Sequence, residues 1–369
     1  MQRVNRWSGL AWLALTWAAA AGEGRLELWR ASMPCVITNA GSYVLTEDLQ
    51  GVAGAHGIRV LAAGVTLDLN GFTLAGVAGS LSGIYAPSNA LGLVVRNGGI
   101  RGWGGSGIEA PAVACMRVEG VAASENGRDG IRIGPAGVVR ECRADGNATN
   151  GFTLGVGAVV AECLARANKA HGISAAGSAT IRGGACRENL GDGVSAGPGC
   201  VVEACTFREN VGAGANLGTG SVVRACSAYR NGDGIRLAAG SLARDSVAYY
   251  NHDDGIQAGA GVSVRGCTAG LNGGDGILLT DRAWASENNC WTNSAGIRAT
   301  GKANRIDNNN LVGNTVGLAV ASAGNFIARN TSTRNADSND YTVVSGNQFQ
   351  VSTNAGASLP SNPWINFKY

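Results

Sequence analysis

From residue 126 onward, the apolar and polar positions of this chain recur in columns. Asn stands at 126, 147, 168, 189, 210, 231, 251, 272, 293, 314 and 335, in steps of 21 residues with one step of 20. Three or four residues after each of the first ten comes Gly and then a mostly apolar residue: Ile131, Phe152, Ile173, Val194, Ala215, Ile235, Ile256, Ile277, Ile297 and Leu318. Two residues further lies a second apolar column, from Ile133 and Leu154 to Ala299 and Val320. Apolar residues two apart, with a variable residue between them, define a strand with one buried face. A third column precedes the Asn by eight residues (Val139, Val160, Ile181, Val202, Val223, Ala243, Val264). A fourth precedes it by five (Cys142, Cys163, Gly184, Cys205, Cys226, Ser246, Cys267). Each unit therefore holds about three short strands and their turns, with no room for a helix.

The economical fold is all-β: a single right-handed parallel β-helix of about 13 or 14 coils, in which equivalent positions stack about 4.8 Å apart. Stacked Asn side chains can hydrogen-bond from coil to coil, and Asn tolerates the left-handed conformation that a tight bend requires. The Cys column predicts free thiols in the core, because parallel Cβ vectors one strand spacing apart suit a disulfide poorly. Before Asn126 the coils are less regular but recognisable. Val65 to Leu69 alternates and turns at Asn70-Gly71, and Gly83-Ile84 and Gly107-Ile108 repeat the strand-start signal. The chain divides into a leader (1–22), irregular N-terminal coils (23–120), regular repeats (121–335) and a C-terminal cap (336–369), since an open coil end needs covering.

Composition agrees. Gly supplies 58 residues, charged residues only 15%, and Lys occurs three times. Collagen, disorder and a helix-rich fold are excluded by the absence of a triplet, by the 45% apolar content and by the cost of interior Gly. The net charge of +3 includes Arg3 and Arg6 and leaves no basic cluster of the kind that binds nucleic acid. Those two arginines, the largely apolar stretch from Trp7 to Ala20 and the small residues around Ala21 read as a cleaved export signal. The mature protein is then expected in the periplasm, at the cell surface or outside the cell, with no membrane span. Its oligomeric state is left open.

These repeats resemble the exported right-handed β-helix proteins, the broad superfamily around pectate lyases, over roughly residues 35 to 345. The resemblance implies a scaffold associated with carbohydrate or with the cell envelope, and its members include polysaccharide lyases, glycoside hydrolases and uronate epimerases. No complete catalytic signature of these enzymes stands in the chain. The galacturonan hydrolase constellation fails by order: His171 lies four coils from Asp254, too far for carboxylate-assisted cleavage.

Chemistry on such a scaffold belongs to outward residues. The column before the Gly is the most polar, with Asp233, Asp254 and Asp275 on consecutive coils. The segment from Tyr249 to Gly255 is the densest group of acids and bases. Two readings follow. Asp233, Asp254 and Asp275 offer the oxygen ligands that Ca²⁺ prefers. Alternatively, Tyr249 and His252, with Asp254, serve acid–base chemistry on a uronic acid whose carboxylate Arg236 neutralises. Asp233, Asp253, Asp275, Trp284 and Trp291 complete the substrate-binding candidates, and a polysaccharide is the expected partner. The plainer readings are that Asp before Gly satisfies a turn and that the two Trp cover a bulged turn. A non-catalytic binding scaffold is favoured, with a lyase or epimerase as the alternative.

Overall fold

The computed structural model describes residues 24–336, 339–352 and 362–368. The expected export signal lies outside them. Among the described residues fifteen strands form one parallel sheet, here sheet 1, from Cys35–Ile37 to Tyr341–Val343. Thirty form a second, sheet 2, to which each regular coil contributes two short strands. Every strand pairs parallel with its equivalent in the next coil: Ile131 with Phe152, Phe152 with Ile173, and Ile235 with Ile256. Sheet 1 has fifteen rungs against the 13 or 14 coils expected, because the pairing continues past Asn335 to Tyr341–Val343, although the N-terminal coils are longer than 21 residues. Cys35, Ile58, Ile84, Ile108 and Ile131 are partners at steps of 23, 26, 24 and 23 residues.

The apolar columns point inward. In the regular coils both apolar positions of each sheet 1 strand are buried, and so is the middle residue of each strand in sheet 2. Volume is balanced within a rung. Phe207 stands between Cys186 and Ala228 in its column, while Ala215 stands between Val194 and Ile235 in the facing sheet. A core at crystal-like density requires that exchange of large for small.

The Asn ladder runs unbroken. The backbone N–H and Nδ2 of each Asn donate to Oδ1 of the next, at 2.8–3.2 Å. It begins at the Trp103 N–H, which donates to Asn126 Oδ1 at 3.2 Å. The expectation that Asn supplies the left-handed bend is corrected. The left-handed residue precedes the Asn, as at Glu188 (φ 59), Arg230 (φ 54) and Tyr250 (φ 60). The Asn is selected for its amide, not for its backbone. Each regular coil turns at three such corners, for example Gly240, Asp245 and Tyr250.

The recurring Gly before sheet 1 is selected for close approach. A Cβ on Gly234 would lie 2.4 Å from the Gly255 carbonyl oxygen. The ten Cys are free thiols, nine buried and Cys115 exposed. Burial pushes the Cys267 thiol up to about 11. The Cys267 N–H donates to Asn288 Oδ1, and from there the column becomes a second ladder through Asn309, Asn330 and Asn366. Asn366 belongs to the last strand, Asn366–Lys368, which pairs parallel with Thr331–Thr333. Within the expected cap, the chain adds another layer of parallel strands.

Candidate functional site

Two outward faces carry chemistry. On sheet 1 the polar column lies at the corner that leads into each strand. Its first duty is to join coils. Asp233 Oδ1 accepts from the Asp254 N–H at 3.0 Å, Asp254 Oδ1 from the Asp275 N–H at 2.8 Å, and Asp275 Oδ1 from the Ala295 N–H at 3.0 Å. Further up, the same post is held by Asp192, which accepts from the Ala213 N–H, and by His171, whose Nδ1 accepts from the Asp192 N–H at 3.0 Å. A backbone N–H bond to an ionised carboxylate is among the stronger hydrogen bonds. The turn reading therefore accounts for one oxygen of each Asp, but the partner is the next coil.

The second oxygens differ. Asp233 is paired with Arg236, and Asp275 is gripped by Arg298 through Nε at 2.6 Å and Nη2 at 3.0 Å. Among the described residues no cation pairs with Asp254. It sits 8% exposed between those two ion pairs, with Asp253 beside it. Burial, reinforced by Asp275, Asp253 and Asp233 against one backbone hydrogen bond, pushes its carboxyl up to about 6. Oxygens of Asp233, Asp253 and Asp254 lie within 4.8 Å of one another. The carboxylates brought together are thus not the three of the consecutive column: Asp275 is turned to Arg298, and Asp253 takes its place.

Tyr249 lies elsewhere. It ends the sheet 2 strand Val247–Tyr249, whereas Arg236 is the outward residue of the sheet 1 strand Ile235–Leu237. The exposed turn residue His252 stands between the sheets, and among the described residues its side chain makes no hydrogen bond. Tyr249 instead belongs to an aromatic cluster. Its ring stacks on Tyr229 at 5.8 Å and 12°, and meets Tyr250 at 5.6 Å and Trp291 at 5.7 Å. Arg230 lies over Tyr229 at 5.0 Å and over Tyr250 at 5.7 Å. Trp291 is two rungs from Tyr249, with Gly270 between them. A Cβ on Gly270 would lie 2.5 Å from the Trp291 ring, so the missing side chain is what lets the indole lean back to Tyr249. Gly270 was the sequence signal for this contact. It is one glycine among 58 and carries no flag of its own.

Trp284 is on the same sheet but in the other strand, Trp284–Ser286. It is held by cations: Arg265 at 3.4 Å and Arg305 at 5.4 Å from its ring centroid. Arg305 also covers Phe326 at 5.4 Å, Phe326 meets Trp364 at 5.9 Å, and Arg329 lies over Trp364 at 5.1 Å. The bulged-turn reading of both Trp is corrected, since each sits in a regular strand. The C-terminal half of sheet 2 thus carries two stripes of rings interleaved with arginines.

A family model for the right-handed beta helix region matches residues 176–316. No curated protein matches the sequence. Among solved structures, the chain is similar to the A-module of mannuronan C-5 epimerase AlgE4 from Azotobacter vinelandii. That likeness has 14% identity, covers 77% of this chain and 90% of that one, and has a TM-score of 0.56. It is also similar to the periplasmic alginate epimerase AlgG, at 16% identity over 73% of each chain and a TM-score of 0.40. The Dettilon tailspike protein shares 11% identity over 82% of this chain and 62% of that one, at 0.45. Identities this low speak to fold alone. Parallel rungs from Cys35 to Lys368, three left-handed corners in each regular coil and the match over residues 176–316 give this chain the right-handed parallel β-helix fold.

Proposed function

We propose that the protein is an exported β-helix scaffold that binds a polysaccharide along sheet 2. The observation that carries this reading is the stripe of Tyr229, Tyr249, Tyr250 and Trp291, spread over four rungs of which the third carries Gly270. Aromatic faces take the apolar face of a sugar ring, and a linear array suits a linear polymer. Arg208 and Arg230 flank it, which favours an acidic chain. The neighbour AlgE4 is a mannuronan epimerase by name, and this makes alginate, a polymer containing mannuronate, the first to test. Export is part of the proposal and rests on the N-terminal pattern.

The test is affinity electrophoresis in gels containing alginate, pectate or neutral dextran. Retardation by an acidic polymer is expected for the wild type and not for Tyr249→Ala/Trp291→Ala. Retardation unchanged by the double substitution rejects the stripe. A second reading, lyase or epimerase activity, is favoured by the Asp254 carboxyl, which is held near neutrality as an acid–base group should be. Unsaturated products absorbing in the ultraviolet, or a changed uronate ratio by NMR, lost in Asp254→Asn and His252→Ala, would establish it. No turnover of acidic polymers leaves binding alone.

A further inference from the structure

The irregular N-terminal coils build a cavity beside sheet 1. Their extra residues lie beside the outward face of that sheet and border a half-open cavity of about 360 Å³, lined by Pro34, Cys35, His56, Arg59, Leu81 and Tyr85 among others. In sheet 1 Arg59, Tyr85 and Glu109 are successive outward partners. The His56 ring stacks on Tyr85 at 4.4 Å and 20°.

The polar groups here are arranged as donors. The Ser82 N–H donates to His56 Nδ1 at 3.2 Å, which leaves the ring proton of the neutral imidazole on Nε2. Among the described residues Arg59 Nε is buried and has no hydrogen-bond partner. Glu109, two rungs from Arg59, is engaged by the Ser82 hydroxyl. Nε is closed to solvent, whereas Nη1 and Nη2 are open and make no hydrogen bond among the described residues, so a ligand acceptor meets the guanidinium at that edge. The guanidinium fork matches a planar carboxylate through two parallel hydrogen bonds. Leu81 and the Tyr85 ring add apolar wall, and the volume is at the small end of ligand pockets.

We propose that this cavity binds a carboxylate on a ligand about one sugar ring in size, with Arg59 as the anchor and His56 Nε2–H as the second donor. Burial lowers the His56 pKa, which keeps the imidazole neutral with Nε2 as a donor. The site stands apart from the sheet 2 stripe, so either can fail without the other.

The test is titration calorimetry of the full chain with D-glucuronate, D-glucose and glucose 1-phosphate. Saturable glucuronate binding is expected, weakened at least about tenfold for glucose and in Arg59→Met. Arg59→Lys, which keeps the charge and loses the fork, should also weaken binding, and it serves if the Met variant melts early. No saturable glucuronate binding, or binding indifferent to Arg59, overturns the proposal. Equal affinity for glucose 1-phosphate overturns the carboxylate assignment.

Discussion

Removing one amide from the middle of the Asn ladder tests what holds the coils together. Asn189 is fully buried. Its Oδ1 accepts from the Asn168 N–H at 3.1 Å and from Asn168 Nδ2 at 2.9 Å. Its Nδ2 donates to the Ala165 carbonyl at 3.2 Å and to Asn210 Oδ1 at 2.9 Å. In Asn189→Ala, Asn168 Nδ2 keeps the Ala144 carbonyl and Asn210 Oδ1 keeps the residue 189 N–H. The Asn168 N–H is stranded and the Ala165 carbonyl loses a donor. The stranded N–H costs about 1–3 kcal/mol and the lost donor about 1, so destabilisation of about 2–4 kcal/mol is expected. In a solenoid each coil touches only its neighbours, so the loss should be local. Hydrogen exchange read by mass spectrometry provides the assay. Opening free energies should fall by that amount in peptides covering residues 159–217 and stay unchanged near 305–320. Leu190→Ala, at an adjacent residue 60% exposed, is the control, with an expected effect within about 0.5 kcal/mol. Equal protection in the two variants would refute the argument that the ladder is structural.

Gly234→Ala forces a Cβ to within 2.4 Å of the Gly255 carbonyl oxygen, and should cost about 1–3 kcal/mol in thermal or denaturant unfolding. Phe207→Ala leaves a void opposite Ala215 that no neighbour fills, and about 3–5 kcal/mol should be lost in the same measurement. Asp254→Asn keeps the acceptor for the Asp275 N–H but removes the titration. Because the folded carboxyl is raised from 3.8 to about 6, it favours the fold below pH about 4, and this contribution is lost as pH rises through about 6. The variant should therefore show a shallower fall in melting temperature over that window. Parallel curves for wild type and variant would mean that Asp254 is not raised.

The inward half of the molecule was legible because a strand hides every second residue, and stacking repeats that pattern at a fixed period. Ile131, Ile133, Val139 and Cys142 each declared a column. The second Asn ladder escaped notice because it begins where the Cys column ends: Cys267 and Asn288 occupy one position with different chemistry. The candidate site was legible only in part. The sequence placed Asp233, Asp254 and Asp275 on consecutive coils, but not the arginine that takes Asp275 or the approach of Asp253 in its place. It grouped Tyr249 with His252 by proximity along the chain, although a corner sends the tyrosine to the other sheet.

The sequence by itself determined the coil, its period, its buried columns and the first Asn ladder that clamps one coil to the next. All of these follow from alternation and from stacking like on like. Only the tertiary structure decided which outward side chains meet. Tyr249 and Trp291 touch because Gly270 leaves room between them, and Arg59 lines a cavity because irregular coils raise walls beside it. Outward contacts depend on side-chain direction and on residues 20 to 42 positions away, and a periodic pattern constrains neither.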